Sequence, residues 1–203
     1  MASAAFERFR FSFFEDPYSP RDGLDTAALA ALEGDESSRA EEMLLQYLPD
    51  TRGGIGLGTL RSRRAEAALA QLLEAERGSG FGSAGIYLAK ALWQIRPDPR
   101  WLEAMIDILA SANEPTRRQN AAVALYDVRD PAAAPALVRA LEDPDGLVRH
   151  HAARALLTLH GLPDQSDNSQ HVIYRVMSDG RARRDGGKRD LLAVIAGRPI
   201  SAQ

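Results

Sequence analysis

TRRQNAAVAL at residues 116–125 and LVRHHAARAL at residues 147–156 share a pattern, R-x-x-A-A-x-A-L, at an offset of 31 residues. Arg118 aligns with Arg149, Ala121–Ala122 with Ala152–Ala153, and Leu125 with Leu156. An apolar pair of the form L-x-x-[LIV] closes the pattern and occurs four times, at Leu57/Leu60, Leu92/Ile95, Leu125/Val128 and Leu156/Leu159. Second apolar segments fall between these pairs, at Leu69/Leu73, Met105/Leu109 and Leu137/Leu141. The units follow one another at spacings of 35, 33 and 31 residues. Self-similarity on that length scale marks an array of stacked supersecondary units.

Each unit has the pattern of two helices. In the first, Val148, Ala152, Ala155, Leu156 and Leu159 fall at the i, i+4, i+7, i+8, i+11 spacing of one helix face. A turn follows, marked by Asp98–Pro99 and again by Asp130–Pro131, where Asp suits the cap and Pro the first helical position. The second helix, AAAPALVRALED at 132–143, turns Leu137, Val138 and Leu141 inward, and EDPDG at 142–146 leads into the next unit. Neither helix can bury its stripe alone, so neighbouring units must stack. The expected fold is all-α, a right-handed α-solenoid of about five helix pairs.

The stretch RRQNAAVALYDVRDPAAAPALVRALEDPDGLVRHHAARALLTLHG, residues 117–161, resembles HEAT-like repeats of the phycobilisome-lyase type. That family has the pattern V-R-x-x-A-A-x-A-L-x-x-L, then D-P, then a Pro- and Leu-rich second helix. The likeness is strongest over 117–161, fair over 84–116 and weaker over 50–77. It implies HEAT-like repeats over 50–161; the flanks 1–49 and 162–203 match nothing in that family and are expected to be N- and C-terminal caps of the same single domain. It also implies that Arg118 and Arg149 brace the turns between repeats. In this family the second helices line a concave face. By register that face would carry Glu66, Gln71 and Glu74, then Trp101, Glu103 and Asp107, then Arg139.

Charge narrows the choice of partner. Residues 1–60 carry 5 Arg against 11 Asp and Glu, residues 61–165 carry 13 of each sign, and residues 166–203 carry 7 basic against 4 acidic groups. Nucleic-acid binding draws its affinity from a basic surplus, which this chain lacks except weakly at its C-terminal end. Arginine outnumbers lysine 23 to 2, a bias expected of a GC-rich bacterial genome. No stretch approaches the ~20 apolar residues of a membrane span. Glu7 and Arg8 stand where a secretory signal needs its apolar run. There is no cysteine, so disulfides and thiolate metal sites are excluded. The expected location is the cytoplasm.

Several features invite chemistry. His150 and His151 are adjacent, so on a helix they diverge by ~100°, and a helical metal pair would need i and i+4 instead. The residues at i+4 are Arg154 and Ala155, and His-Glu, the iron-binding dipeptide of the HEAT-like deoxyhypusine hydroxylases, is absent. On the wheel His150 faces solvent and His151 edges the apolar stripe. GFGSAG at 80–85 matches G-x-G-x-x-G but follows a helical pattern rather than a strand, so it is expected to be a flexible turn between repeats. GGIGLG at 53–58 lies in register with later first helices, where small residues would permit close packing at a cost in helix propensity.

Phe9, Phe11 and Phe13 alternate with Arg10 and Ser12, which predicts a short extended segment, either a cap on the array or a docking or dimerisation segment. Arg181, Arg183, Arg184, Lys188 and Arg189 cluster with glycines, which predicts a loop before a short helix at Leu191–Ala196, either simply solvated or a patch for an anion or an acidic partner. No G-x-S-x-G or Ser/His/Asp grouping stands out. Trp93, Trp101 and many carboxylates are present, but the basic channel of the HEAT-like DNA glycosylases is not.

The expectation is a non-enzymatic protein-binding module with no catalytic, cofactor or metal residues. Its partner would be another protein, with a basic toxin as the sharper reading for an acidic immunity protein or adaptor. Alternatives are a HEAT-like lyase or cofactor handler and a structural subunit of a larger assembly.

Overall fold

The computed structural model describes residues 2–15, 23–82, 84–162 and 172–198. Among these residues there are helices and turns but no strand. The chain divides into two compact units, 1–101 and 102–203. The structure is all-α, built of helices that pack on their neighbours in sequence as HEAT-like pairs do.

In the first unit, α1 (Ala4–Arg10) is capped by Ser3, whose hydroxyl accepts from Phe6 N, and continues as a wider helical turn over Phe11–Glu15. The phenylalanine segment is thus helical, not extended. Phe6, Phe9 and Phe13, at i, i+3 and i+7, are buried, whereas Phe11 is 53% exposed. The period-two alternation was coincidental, and the buried set follows the helical period. Phe13 and Phe14 meet Tyr47 edge-on at 5.3 and 5.1 Å between ring centroids. α2 (Thr26–Ala30) packs on α1 and takes its cap from Asp25, which also binds Arg8.

α3 (Gly34–Leu45) then leads into α4 (Thr51–Thr59), capped by Asp50. α4 carries GGIGLG, and its glycines are there for contact. A Cβ on Gly58 would stand 2.7 Å from the Ala91 Cα, so only glycine lets α4 lie this close to α6 (Gly85–Ile95). Between them α5 (Glu66–Gly78) buries Leu69 and Leu73. GFGSAG closes α5: Phe81, at φ 53°, donates its backbone N–H to Glu76 O at 2.7 Å and buries its ring. Ser83 of this motif lies outside the described residues.

α7 (Pro99–Ser111) begins at Pro99, with Asp98 accepting from Arg100 N. In the second unit α8 (Pro115–Val128) and α10 (Gly146–Leu159) stack face to face, with α9 (Ala134–Ala140) packed on α10. Asp130 accepts from Ala132 N, and Pro131 opens a tight turn into α9. All five first-helix positions read from the sequence, Val148 through Leu159, are buried. α11 (Val172–Met177) and α12 (Arg181–Ala196) complete the unit, packing on each other and on α10.

The segment expected to be a basic loop is the first half of α12. Gly186 and Gly187 are buried there because α11 crosses closely: a Cβ on Gly187 would lie 2.6 Å from the Arg175 Cβ and 2.7 Å from Val176 N.

Arg118 and Arg149 do brace the turns, by different means. Arg118 forks onto Asp143 at 2.7 and 3.0 Å and donates to Ala112 O and Asn113 O. Asp143 in turn accepts from Asp145 N, and Asp145 caps α10 through Leu147 N and Val148 N and accepts from Gln119. Arg149 is fully buried. Its guanidinium donates to the carbonyls of Asp143, Pro144, Val176, Met177 and Ser178 at 2.7–3.1 Å. Positive charge at the carbonyl end of α11 is where the helix dipole favours it.

Candidate functional site

The second helices carry the residues expected to face a partner. In the first unit, Glu66 opens α5 and lies half-buried, held by the Arg96 guanidinium (Nε–Oε1 2.9 Å) and by Arg63 at 3.6 Å. The hydrogen bond from Arg96 holds the Glu66 carboxyl below its ordinary range, outweighing partial burial. Gln71 and Glu74 are exposed along α5, with Glu74 3.5 Å from Arg77.

Trp101 departs from expectation. It is 4% exposed, so it cannot be a surface side chain of the concave face. Arg100 lies over its ring at 4.7 Å and is itself held by Asp98 through Nε, Nη2 and its backbone N–H. Those Arg100 hydrogen bonds bring the Asp98 carboxyl down to about 2. Glu66 and Trp101 nevertheless line one hollow of about 310 Å³ with Arg63, Ala67, Ala70 and Arg100. Gln71 lines a separate shallow hollow with Leu48, Pro49, Ala68 and Leu72.

In the second unit, Glu103 and Asp107 stand exposed one turn apart on α7. Arg139, exposed on α9, forms the rim of a hollow of about 260 Å³ with Glu142 and Asp143. Its apolar wall comes from α7 and α9, through Ile106, Leu109, Ala136 and Ala140. An apolar recess bordered by both signs of charge can seat one aliphatic side chain and fix its polar neighbours, the arrangement that concentrates binding energy at protein interfaces.

The basic cluster singled out in the sequence lies not in a loop but on α12, beside a further hollow of about 400 Å³. The hollow is lined by Glu142, Arg181, Arg184, Lys188 and Arg189, with Asp185 and Leu192. The signal was present as two rows at i, i+4, i+8, Arg181/Asp185/Arg189 and Arg184/Lys188/Leu192, but the glycines between them suggested a loop.

The histidine pair forms no metal site among the described residues, where no group of three or more His, Cys, Asp or Glu side chains could hold an ion. His150 is not solvent-facing as the wheel suggested. It is half-buried, its ring edge-on to His151 at 5.1 Å and to Tyr174 at 6.5 Å, because α11 packs over this part of α10. Burial, reinforced by His150 and Arg154, pushes the His151 imidazole below its ordinary range. Among the described residues no helix is long and apolar enough to cross a membrane.

Stacked helical pairs with buried apolar stripes, arginine-braced turns and polar second-helix faces define a helical repeat protein. Residues 80–157, less than half of the chain, match the family model of HEAT repeats. No curated protein and no solved structure matches the chain.

Proposed function

We propose that this chain is a non-catalytic protein-binding repeat module whose second-helix faces receive another protein. The observation that carries this reading is the α7–α9 recess, with its apolar wall and its rim of Arg139, Glu142 and Asp143. Exposed Glu103 and Asp107 on α7 extend the polar surface of the same unit. Gln71 and Glu74 on α5, with the rim of Glu66, offer a corresponding surface on the first unit. The terminal segments 1–49 and 162–203 are read as caps of the repeats at 50–161, in one domain.

The test is a paired capture from the native host, with wild type and an E103R/D107R/R139E variant as baits. A protein retained by the wild type and lost by the variant, at unchanged melting temperature, supports the reading. Identical capture by both baits refutes it.

Within that class, the acidic balance of residues 1–60 favours a cytoplasmic bacterial adaptor or an immunity protein that neutralises a basic toxin. Co-expression with the product of the neighbouring gene tests the sharper form. Failure to form a complex, or to relieve toxicity, counts against it.

A further inference from the structure

The first turn of α12 holds Arg181, Arg183 and Arg184, no acid, and an N-cap, Gly180, that offers no side-chain acceptor. Cations at this end oppose the helix dipole, so helix formation gives no reason for them. Arg181, Arg184, Lys188 and Arg189 share one hollow with two carboxylates, Glu142 and Asp185, which leaves it net positive on a chain of net charge −3. Lys188 is taken up by Glu142. Asp185 is divided between Arg181 at 3.7 Å and Arg184 at 3.9 Å, both beyond hydrogen-bond length. Arg184 keeps an Nε–H that is out of water and without a hydrogen-bond acceptor, and Arg189 makes no ion pair among the described residues. Leu192 adds an apolar end to the hollow.

We infer that this hollow is a docking surface for an acidic helical segment of a partner protein, one with carboxylates a turn apart followed by an aliphatic residue. Arg184, Lys188 and Leu192 succeed one another at ~6 Å intervals along the helix, the interval at which a second helix repeats its own i, i+4 positions. Arg181 to Arg189 spans only ~12 Å. That is too short for the 6–10 phosphate contacts that give nucleic-acid binders their affinity. A phosphate backbone also has no use for the Leu192 end, whereas an amphipathic acidic helix does. Because the chain as a whole repels anions, any acidic segment it holds must be held locally. This surface shares Glu142 with the α7–α9 recess proposed above, but Arg184 and Arg189 line only the α12 hollow and Arg139 only the recess, so their variants let either reading fail without the other.

The experiment is fluorescence anisotropy on the full chain, with a labelled helical peptide carrying glutamates at i, i+4 and a leucine one turn further on. The expected result is saturable one-to-one binding at about 50 mM salt that weakens by more than about tenfold at about 300 mM. Arg184→Gln and Arg189→Gln should each weaken it by about fivefold or more, and the equally neutralising Arg183→Gln, exposed but outside the hollow, by less than about twofold. Arg189 is exposed, so R189Q carries the test even if R184Q lowers the melting temperature. The inference is overturned by absence of saturable binding, by an R183Q effect equal to that of R189Q, or by tighter binding of a single-stranded oligonucleotide. It is also overturned by salt-sensitive dimers that R189Q abolishes, since the occupant would then be a second copy of the chain.

Discussion

Replacing Arg149 by Met keeps the aliphatic volume of the side chain and removes all five of its donor contacts. The carbonyls left behind decide the cost. Pro144 and Ser178 belong to exposed or half-exposed turns, where water can replace the guanidinium. Val176 is buried, and its carbonyl and that of Met177 close the end of α11, where a lost partner is not easily replaced. Two orphaned acceptors at about 1–3 kcal/mol each, with relief from the desolvation cost of a buried cation set against lost charge-assisted bonds, give a net loss of about 3–5 kcal/mol.

For a chain of this size that lowers the melting temperature by about 6–20 °C. Arg149→Lys should recover only part, because three donors on a point charge cannot span acceptors on both sides of the side chain. Far-UV circular dichroism in urea measures the loss, and amide hydrogen exchange locates it. Protection should fall first in residues 172–198, since the lost bonds hold α11 to α10. An R149M protein within about 1 kcal/mol of wild type, or one destabilised with protection of 172–198 intact, refutes this account of the brace.

Three other outcomes are expected. Phe9→Ala removes a fully buried ring and should cost about 3–4 kcal/mol, and a loss below about 1 kcal/mol in chemical denaturation would contradict a core role for the α1 aromatics. Gly58→Val should cost about 1–3 kcal/mol through overpacking against Ala91, whereas Gly78→Val, with no neighbour near its Cβ position, should cost far less; equal losses would remove close approach as the reason for the α4 glycines. The imidazole of His151 sits below its ordinary range in the fold, so the unfolded chain binds that proton more readily. Its stabilising contribution is therefore present above the ordinary histidine pKa and is lost as pH falls below it. Melting temperatures from pH 7 to 5 should fall more steeply for wild type than for His151→Gln, and parallel curves would refute the assignment.

The repeat was legible because packing imposes it on the letters. Leu125 and Leu156 recur since each must meet the neighbouring pair, and Arg118 and Arg149 recur since each turn has carbonyls to satisfy. Three features were not legible, each for a definite reason. Phe6–Phe14 holds so many aromatics that both a period of two and a helical period fit. Only the buried set, Phe6, Phe9 and Phe13, separates them. Gly186 and Gly187 signal a loop when read locally, but their reason is α11 passing alongside, a contact outside any local window. Trp101 lies at a register position that faces outward in an average repeat, while here it is buried beneath Arg100. Positions were legible where one helix's own periodicity decided them, and not where a particular neighbour did.

The two arginines at one repeat position also differ in what they demand of the chain around them. Arg118 needs a carboxylate at 143, so that joint is written in side chains, and a substitution on either side can break it. Arg149 donates all its side-chain hydrogen bonds to carbonyls, which every residue supplies, with the exposed Asp179 carboxylate beyond hydrogen-bond length at 3.7 Å. Any backbone that brings its carbonyls to the positions of Val176, Met177 and Ser178 can be fastened there, whatever side chains it carries. The grip of Arg149 therefore places no demand on the exposed side chains of the C-terminal helices, including the basic row of α12, while Ile173, Val176, Gly186 and Gly187 are fixed by close packing.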